Sequence, residues 1–185
     1  FCRAYGGRKL TSSPQFLGRG YWNNECQMRR MSPTSAINAR QRVRCWGLND
    51  FGQSTVPMQF SFEAAIFCAA GAYHTCCLDE DHLVLCWGMD DGWGDFSTTG
   101  QVSAAPKEIR FSQLALGSRT SCGLVLDAED PSANGTALCW GSDDNDEIEG
   151  IPAGVQFTKL SGGGAIGSVF CGLDTASRAR CCFCV

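Results

Sequence analysis

The chain has 185 residues, 15 Lys+Arg against 19 Asp+Glu for a net charge of −4, and 44% hydrophobic residues. That suits one domain, or part of a larger one, with enough apolar content to bury a core. The mild acidity speaks against a nucleic-acid partner, which asks for a basic face. The longest apolar stretch, Ala64 to Tyr73, is too short for a membrane helix of about 20 residues. The chain opens at Phe1 with no signal-peptide pattern. Its 13 cysteines point to an oxidising compartment, and their odd number leaves at least one without an intrachain partner.

In chain order, Cys45-Trp46-Gly47, Cys86-Trp87-Gly88 and Cys139-Trp140-Gly141 are copies of one tripeptide. Cys2-Arg3-Ala4 and Cys181-Cys182-Phe183 stand where degraded copies belong. Successive separations are 43, 41, 53 and 42 residues, a repeat with one insertion. The units run approximately over 2–44, 45–85, 86–138 and 139–180, with 181–185 opening the next. Pro14 lies as far after Cys2 as Pro57 after Cys45, which makes the divergent N-terminal stretch a repeat as well.

Within a unit the signals are short strands and turns: Val43 before Arg44-Cys45, Leu83–Leu85, Phe111–Gly117, Leu124–Leu126 and Phe157–Ser161. Ser61 to Ala70 has a helical composition. Its register, with Cys68 opposite Leu114 and Leu160, argues for a strand instead. A second element recurs as Gly71-Ala-Tyr-His-Thr-Cys76-Cys77-Leu78, Gly117 through Leu124 and Ser168 through Leu173, with its weakest copy from Gly20 to Met28. Gly52-Gln53 through Pro57 is echoed by Gly100-Gln101 through Pro106 and by Gly150-Ile-Pro152. Four short strands per unit of about 42 residues is the arithmetic of a propeller blade.

This pattern resembles the regulator of chromosome condensation repeat, shared with beta-lactamase inhibitor protein II, and most closely the cysteine-bearing form in crinkly-type receptor ectodomains. The resemblance implies an all-β fold, here about four blades of a seven-bladed ring. Departures are Cys77 in place of Gly, Arg3-Ala4 and Cys182-Phe183 in place of Trp-Gly, and a missing His-Thr in three of the four units.

Each unit offers one cysteine in the Gly-rich element and one in Cys-Trp-Gly, so the expected bridges are Cys26–Cys45, Cys76–Cys86, Cys122–Cys139 and Cys171–Cys181. Trp46, Trp87 and Trp140, at one repeat position, are expected to pack between blades. Asn134-Gly135-Thr136 is an N-glycosylation sequon on the inserted loop. Gly162 to Gly167 fits G-x-G-x-x-G but precedes a strand-like run, so it reads as a loop. Asp143 to Glu149 lacks the glycine of a calcium loop and reads as a solvated acidic loop. Cys181-x-x-Cys184 alone is too few ligands for structural zinc. His74 and His82 are the only histidines; a nucleophilic pairing of Cys77 with either lacks a third, orienting group.

These features predict a non-catalytic extracellular or secretory-pathway scaffold with no cofactor and no metal. It would recognise a protein or small extracellular ligand, with no nucleic acid and no membrane contact by this segment. The alternatives are a secreted protein inhibitor of an enzyme and, against the cysteine load, a nuclear exchange factor for a small GTPase.

Overall fold

A computed structural model describes residues 16–19, 25–30, 41–62, 65–90, 99–144, 146–164 and 167–182. Cys2, Pro14, Phe183 and Cys184 lie outside the described residues, as do 20–24 of the weakest Gly-rich copy. The strands are β1 (Phe16–Arg19), β2 (Glu25–Arg30), β3 (Gln41–Trp46), β4 (Ala65–Ala70), β5 (His74–Asp79), β6 (Val84–Gly88), β7 (Phe111–Leu116), β8 (Thr120–Val125), β9 (Ala137–Gly141), β10 (Phe157–Gly163), β11 (Val169–Asp174) and β12 (Ala179–Cys182). They form four antiparallel sheets, each of three strands consecutive in sequence. Each sheet ends on its Cys-Trp-Gly or the degraded copy, so the sequence repeat is offset from the sheet by one strand.

Among the described residues each unit has three strands, not four. The segment after Cys-Trp-Gly is held by side chains in place of a ladder. Asn49 Oδ1 accepts the Ser54 N–H at 2.9 Å, Asp90 Oδ1 accepts Val102 and Ser103 N–H at 2.8 and 3.1 Å, and Asp143 Oδ1 accepts Ile148 N–H at 2.6 Å. Such short polar side chains compete with strand pairing for backbone donors.

The expected strand over 61–70 is also shorter. Helix α1 (Met58–Phe62) follows Pro57, whose ring suits a helix start, and only Ala65–Ala70 is strand. Within that strand Cys68 takes the fourth position, as Leu114 and Leu160 do in β7 and β10. Every first strand breaks register at its second residue or just beyond, so the same irregularity recurs in all four sheets.

The core lies in seams between sheets. Cys26, Val43, Phe60, Ala65, Cys68, Cys77 and Trp87 fill the first seam. Cys76, Leu78, Val84, Phe111, Leu114 and Trp140 fill the second, and Cys122, Leu124, Phe157, Leu160 and Phe170 the third. Sheets are also tied at the hairpin tips. The Phe111 N–H donates to His82 O at 2.9 Å, and the Phe157 N–H donates to Gly135 O at 2.7 Å. Both accepting residues have left-handed backbones, with φ of 66° and 79°.

Candidate recognition surface

The Cys-Trp-Gly tripeptide divides three tasks among three residues. Strand alternation points the cysteine and the tryptophan to opposite faces. Cys86 sits opposite Cys76 in register and bridges to it; Cys45 likewise bridges to Cys26, Cys139 to Cys122 and Cys181 to Cys171. Trp87 turns toward the preceding sheet, where its Nε1–H donates to Gln53 O at 3.0 Å. Trp140 repeats this, donating to Gln101 O at 3.2 Å. Gly88 and Gly141 both have φ of +113°, and a Cβ there would stand 2.6 and 2.5 Å from the carbonyls of Tyr73 and Arg119. Left-handed backbone and this close approach both demand glycine.

Trp46 does not share the packing role: it is 41% exposed, against 8% for Trp87 and 5% for Trp140. The physical reason is positional. A tryptophan in this slot is buried by the sheet preceding its own, and Trp46 belongs to the first sheet described.

The recurring Gly-Gln of the sequence places two buried polar residues, and a third escapes it. Gln53 and Gln101 are fully buried under the seam tryptophans. Glu147, eight residues after Cys139 as Gln53 is after Cys45, occupies the corresponding place. It is 4% exposed and its Oε1 accepts the Ser168 N–H at 3.4 Å, which corrects the reading of 143–149 as wholly solvated. The shared spacing from cysteine was the available signal, obscured by the search for Gly-Gln.

A fifth bridge, Cys68–Cys77, joins β4 to β5. Sheets three and four show what makes room for it. There the position of Cys77 is Gly123 or Gly172, and a Cβ would meet the ring of Phe111 or Phe157 at 2.3 or 2.4 Å. In the second sheet that phenylalanine is Ala65, so the space passes to the disulfide. The ring that Ala65 lacks is supplied by Phe60 of α1, whose centroid is 6.1 Å from Trp87; Phe111 lies 5.6 Å from Trp140. Cys77 is therefore no candidate nucleophile.

His74 Nε2 lies 2.7 Å from Ser121 Oγ, which in turn reaches Gln101 O at 3.5 Å. Burial drives the His74 pKa down to about 4, opposed by the charge of Asp90 and a backbone bond at Ser118. A serine, a histidine and a carboxylate thus share one neighbourhood, with His74 and Ser121 fully buried in the seam. The histidine works as a neutral crosslink between sheets. His82 is on a hairpin tip, its Nδ1 3.0 Å from Phe111 O.

The other motifs resolve as local structure. Gly162 and Gly163 close β10, β11 follows, and a strand stands where a dinucleotide site needs a helix. Cys181 of the Cys-x-x-Cys pair is already bridged. Asn134 caps the 3-10 turn Pro131–Ala133, half-buried, with its Oδ1 accepting the Asp127 N–H at 2.6 Å. Thr136 of the sequon is exposed.

Among the described residues, two sheets carry exposed side chains at positions buried in other blades. On the fourth sheet Val169 and Leu173 are 36% and 38% exposed, at positions held by the buried His74 and Leu78 or Thr120 and Leu124. On the first sheet Trp46 is joined by the exposed Arg44.

The regulator of chromosome condensation (RCC1) repeat matches residues 69–101, from the end of β4 through Gly100-Gln101. Among solved structures, the entire ectodomain of the Physcomitrella patens receptor kinase CR4 is similar at 23% identity and a TM-score of 0.63, covering 96% of this chain and 43% of that one. The CRINKLY WD40 ectodomain of the Arabidopsis thaliana receptor kinase ACR4 is similar at 22% identity and 0.62, covering 95% and 54%. Yeast RCC1 (Prp20), solved bound to Kap60, is similar at 14% and 0.53, covering 75% and 38%. The chain spans about half the length of the two ectodomains. The cysteine-tied sheets are blades: residues 69–101 are an RCC1 repeat, and the chain has the RCC1-type propeller fold over part of its length.

Proposed function

We propose that the chain is a non-catalytic recognition scaffold of an extracellular or secretory compartment and one part of a larger propeller. The observation that carries this reading is the set of five disulfides, which commits ten of the thirteen cysteines in a fold similar to receptor ectodomains. A reducing cytosol does not sustain such bridges. The exposed positions at Trp46 and at Val169 and Leu173 support further blades or a protein partner, since their counterparts in other blades are buried. Asn134 is the proposed glycan site, and a mass loss on glycan removal, absent in Thr136→Ala, is its test.

The chain secreted from a eukaryotic host and probed against extracellular proteins should bind a protein ligand. Its non-reducing peptide map should contain the five bridges. Thiols alkylatable at all ten positions would overturn the compartment. Turnover of hydrolase or transferase substrates, lost in His74→Ala, would overturn the scaffold.

A further inference from the structure

His74, Thr120 and Val169 lead β5, β8 and β11 and so hold one position in three blades. Thr120 is buried, and its Oγ1 donates to Ser142 O at 2.8 Å, a contact without a titratable group. His74 puts an ionisable ring in the same place, reaching across the seam so that Nε2 lies 2.7 Å from Ser121 Oγ of the third blade. A Cβ on Gly71 would stand 2.7 Å from the ring's Cε1 and 2.6 Å from Gly117 O, so backbone from both blades closes over the imidazole. Asp90 is the charged group whose field reaches the ring, and its Oδ1 is already engaged by the Val102 and Ser103 N–H groups. The register partner of His74 is Gly88, and Cys76, two residues on, is bridged to Cys86. From the other side Ser118, Ser121 and the Gln101 carbonyl present neutral groups. His82 shares the seam at its hairpin tip, half-buried, with Nδ1 3.0 Å from Phe111 O. Burial thus disfavours a charge on His74 and pushes its pKa down to about 4.

The bridges act within blades. Each of the five joins two strands of one sheet. What holds the second blade to the third is non-covalent: Leu78, Phe111 and Trp140 pack together, the Ala72 N–H donates to Gly117 O at 3.2 Å, and the Phe111 N–H donates to His82 O at 2.9 Å. Stacked repeats couple through such interfaces, so one seam can part without the units on either side unfolding. A charge on His74 destabilises the closed seam, because only the opened seam gives the ring water. The stapled blades beside it do not have to unfold.

We propose that the seam between the second and third blades is an acid-operated joint: protonation of His74 opens it while each blade stays closed by its own bridges. The seam between the third and fourth blades, with Thr120 in the histidine's place, stays shut. An acidifying secretory or endocytic compartment would supply the trigger. A surface built across the joint would lose its shape as the pH falls. The inference concerns the joint alone and stands apart from what the scaffold recognises.

Native-state hydrogen exchange of the full chain at pH 7 and pH 5, corrected for the intrinsic pH dependence of amide exchange, measures each contact separately. With an ordinary pKa of 6.5 in the open joint and about 4 in the closed one, opening at the Ala72 and Phe111 N–H groups should rise about twentyfold at pH 5. Both should exchange at least about tenfold faster than the β5–β6 and β8–β9 ladders, which need a blade to unfold. The Phe157 N–H, which spans the next seam to Gly135 O, should stay within about threefold. His74→Gln, which keeps a hydrogen-bonding end toward Ser121, should abolish the rise, and His82→Gln should retain it. Ser121→Ala should loosen the joint at both pH values and keep the rise. An unchanged Ala72 amide, one that exchanges no faster than the ladders, an equal rise at Phe157, or a rise that persists in His74→Gln overturns the proposal. If His74→Gln does not fold, the comparison of Ala72 with Phe157 and the ladders in the native sequence decides by itself.

Discussion

One side-chain exchange explains the most unusual bridge. Gly123 exists so that Phe111 can lie across β8, and the pair is replaced as a unit by Cys77 and Ala65 one blade earlier. Gly123→Ala drives a methyl into a fully buried ring, so it should cost about 1–3 kcal/mol. Phe111→Ala alone should cost about 3–5 kcal/mol for its cavity. The double variant should lose clearly less than the sum, because the added methyl then occupies vacated space. Denaturant melts of the four proteins measure that coupling, and strict additivity would refute the exchange.

His74 gives the molecule a pH dependence of known sign. Its pKa is about 4 in the native seam against an ordinary 6.5, so between those values the unfolded chain binds a proton that the folded chain refuses. The His74 contribution is therefore constant above about pH 7, falls as the pH drops from 6.5 to 4, and is constant again below. The total is about 3 kcal/mol. Melting temperatures of His74→Asn across that window should lack this slope.

At the scale of the element, each final strand works through a bridge on one face and an indole on the other. Trp140→Phe keeps most of the apolar burial but removes the shorter of the two donors to Gln101 O, leaving Ser121 Oγ at 3.5 Å. A loss of about 1–2 kcal/mol is expected by thermal melt. The paired change Cys76→Ser with Cys86→Ser should cost about 2–4 kcal/mol by loosening the unfolded chain's constraint. The strands themselves were legible, because alternating apolar runs bounded by glycine and aspartate are local signals. The expected fourth strand is not found among the described residues: Asn49, Asp90 and Asp143 capture the backbone donors that a ladder would have used.

For the whole molecule the exposed sheet positions decide behaviour. Val169 and Leu173 form an apolar stripe where the inner blades bury their equivalents, which favours self-association of the isolated chain. Light scattering should report oligomers that the double variant Val169→Glu, Leu173→Glu converts toward monomer with little change in melting temperature. An unchanged size distribution would show that the stripe is not the contact.

The amino-acid sequence by itself determined the repeat, the all-β class and four cysteine pairs, because the spacing of Cys-Trp-Gly and the Gly-rich strand is written along the chain. The tertiary structure alone decided the Cys68–Cys77 bridge and the exposure of Trp46. Each depends on which side chain faces it across a seam. A residue's own strand sets the direction in which it points, but the neighbouring blade determines whether it meets a ring, a loop or water.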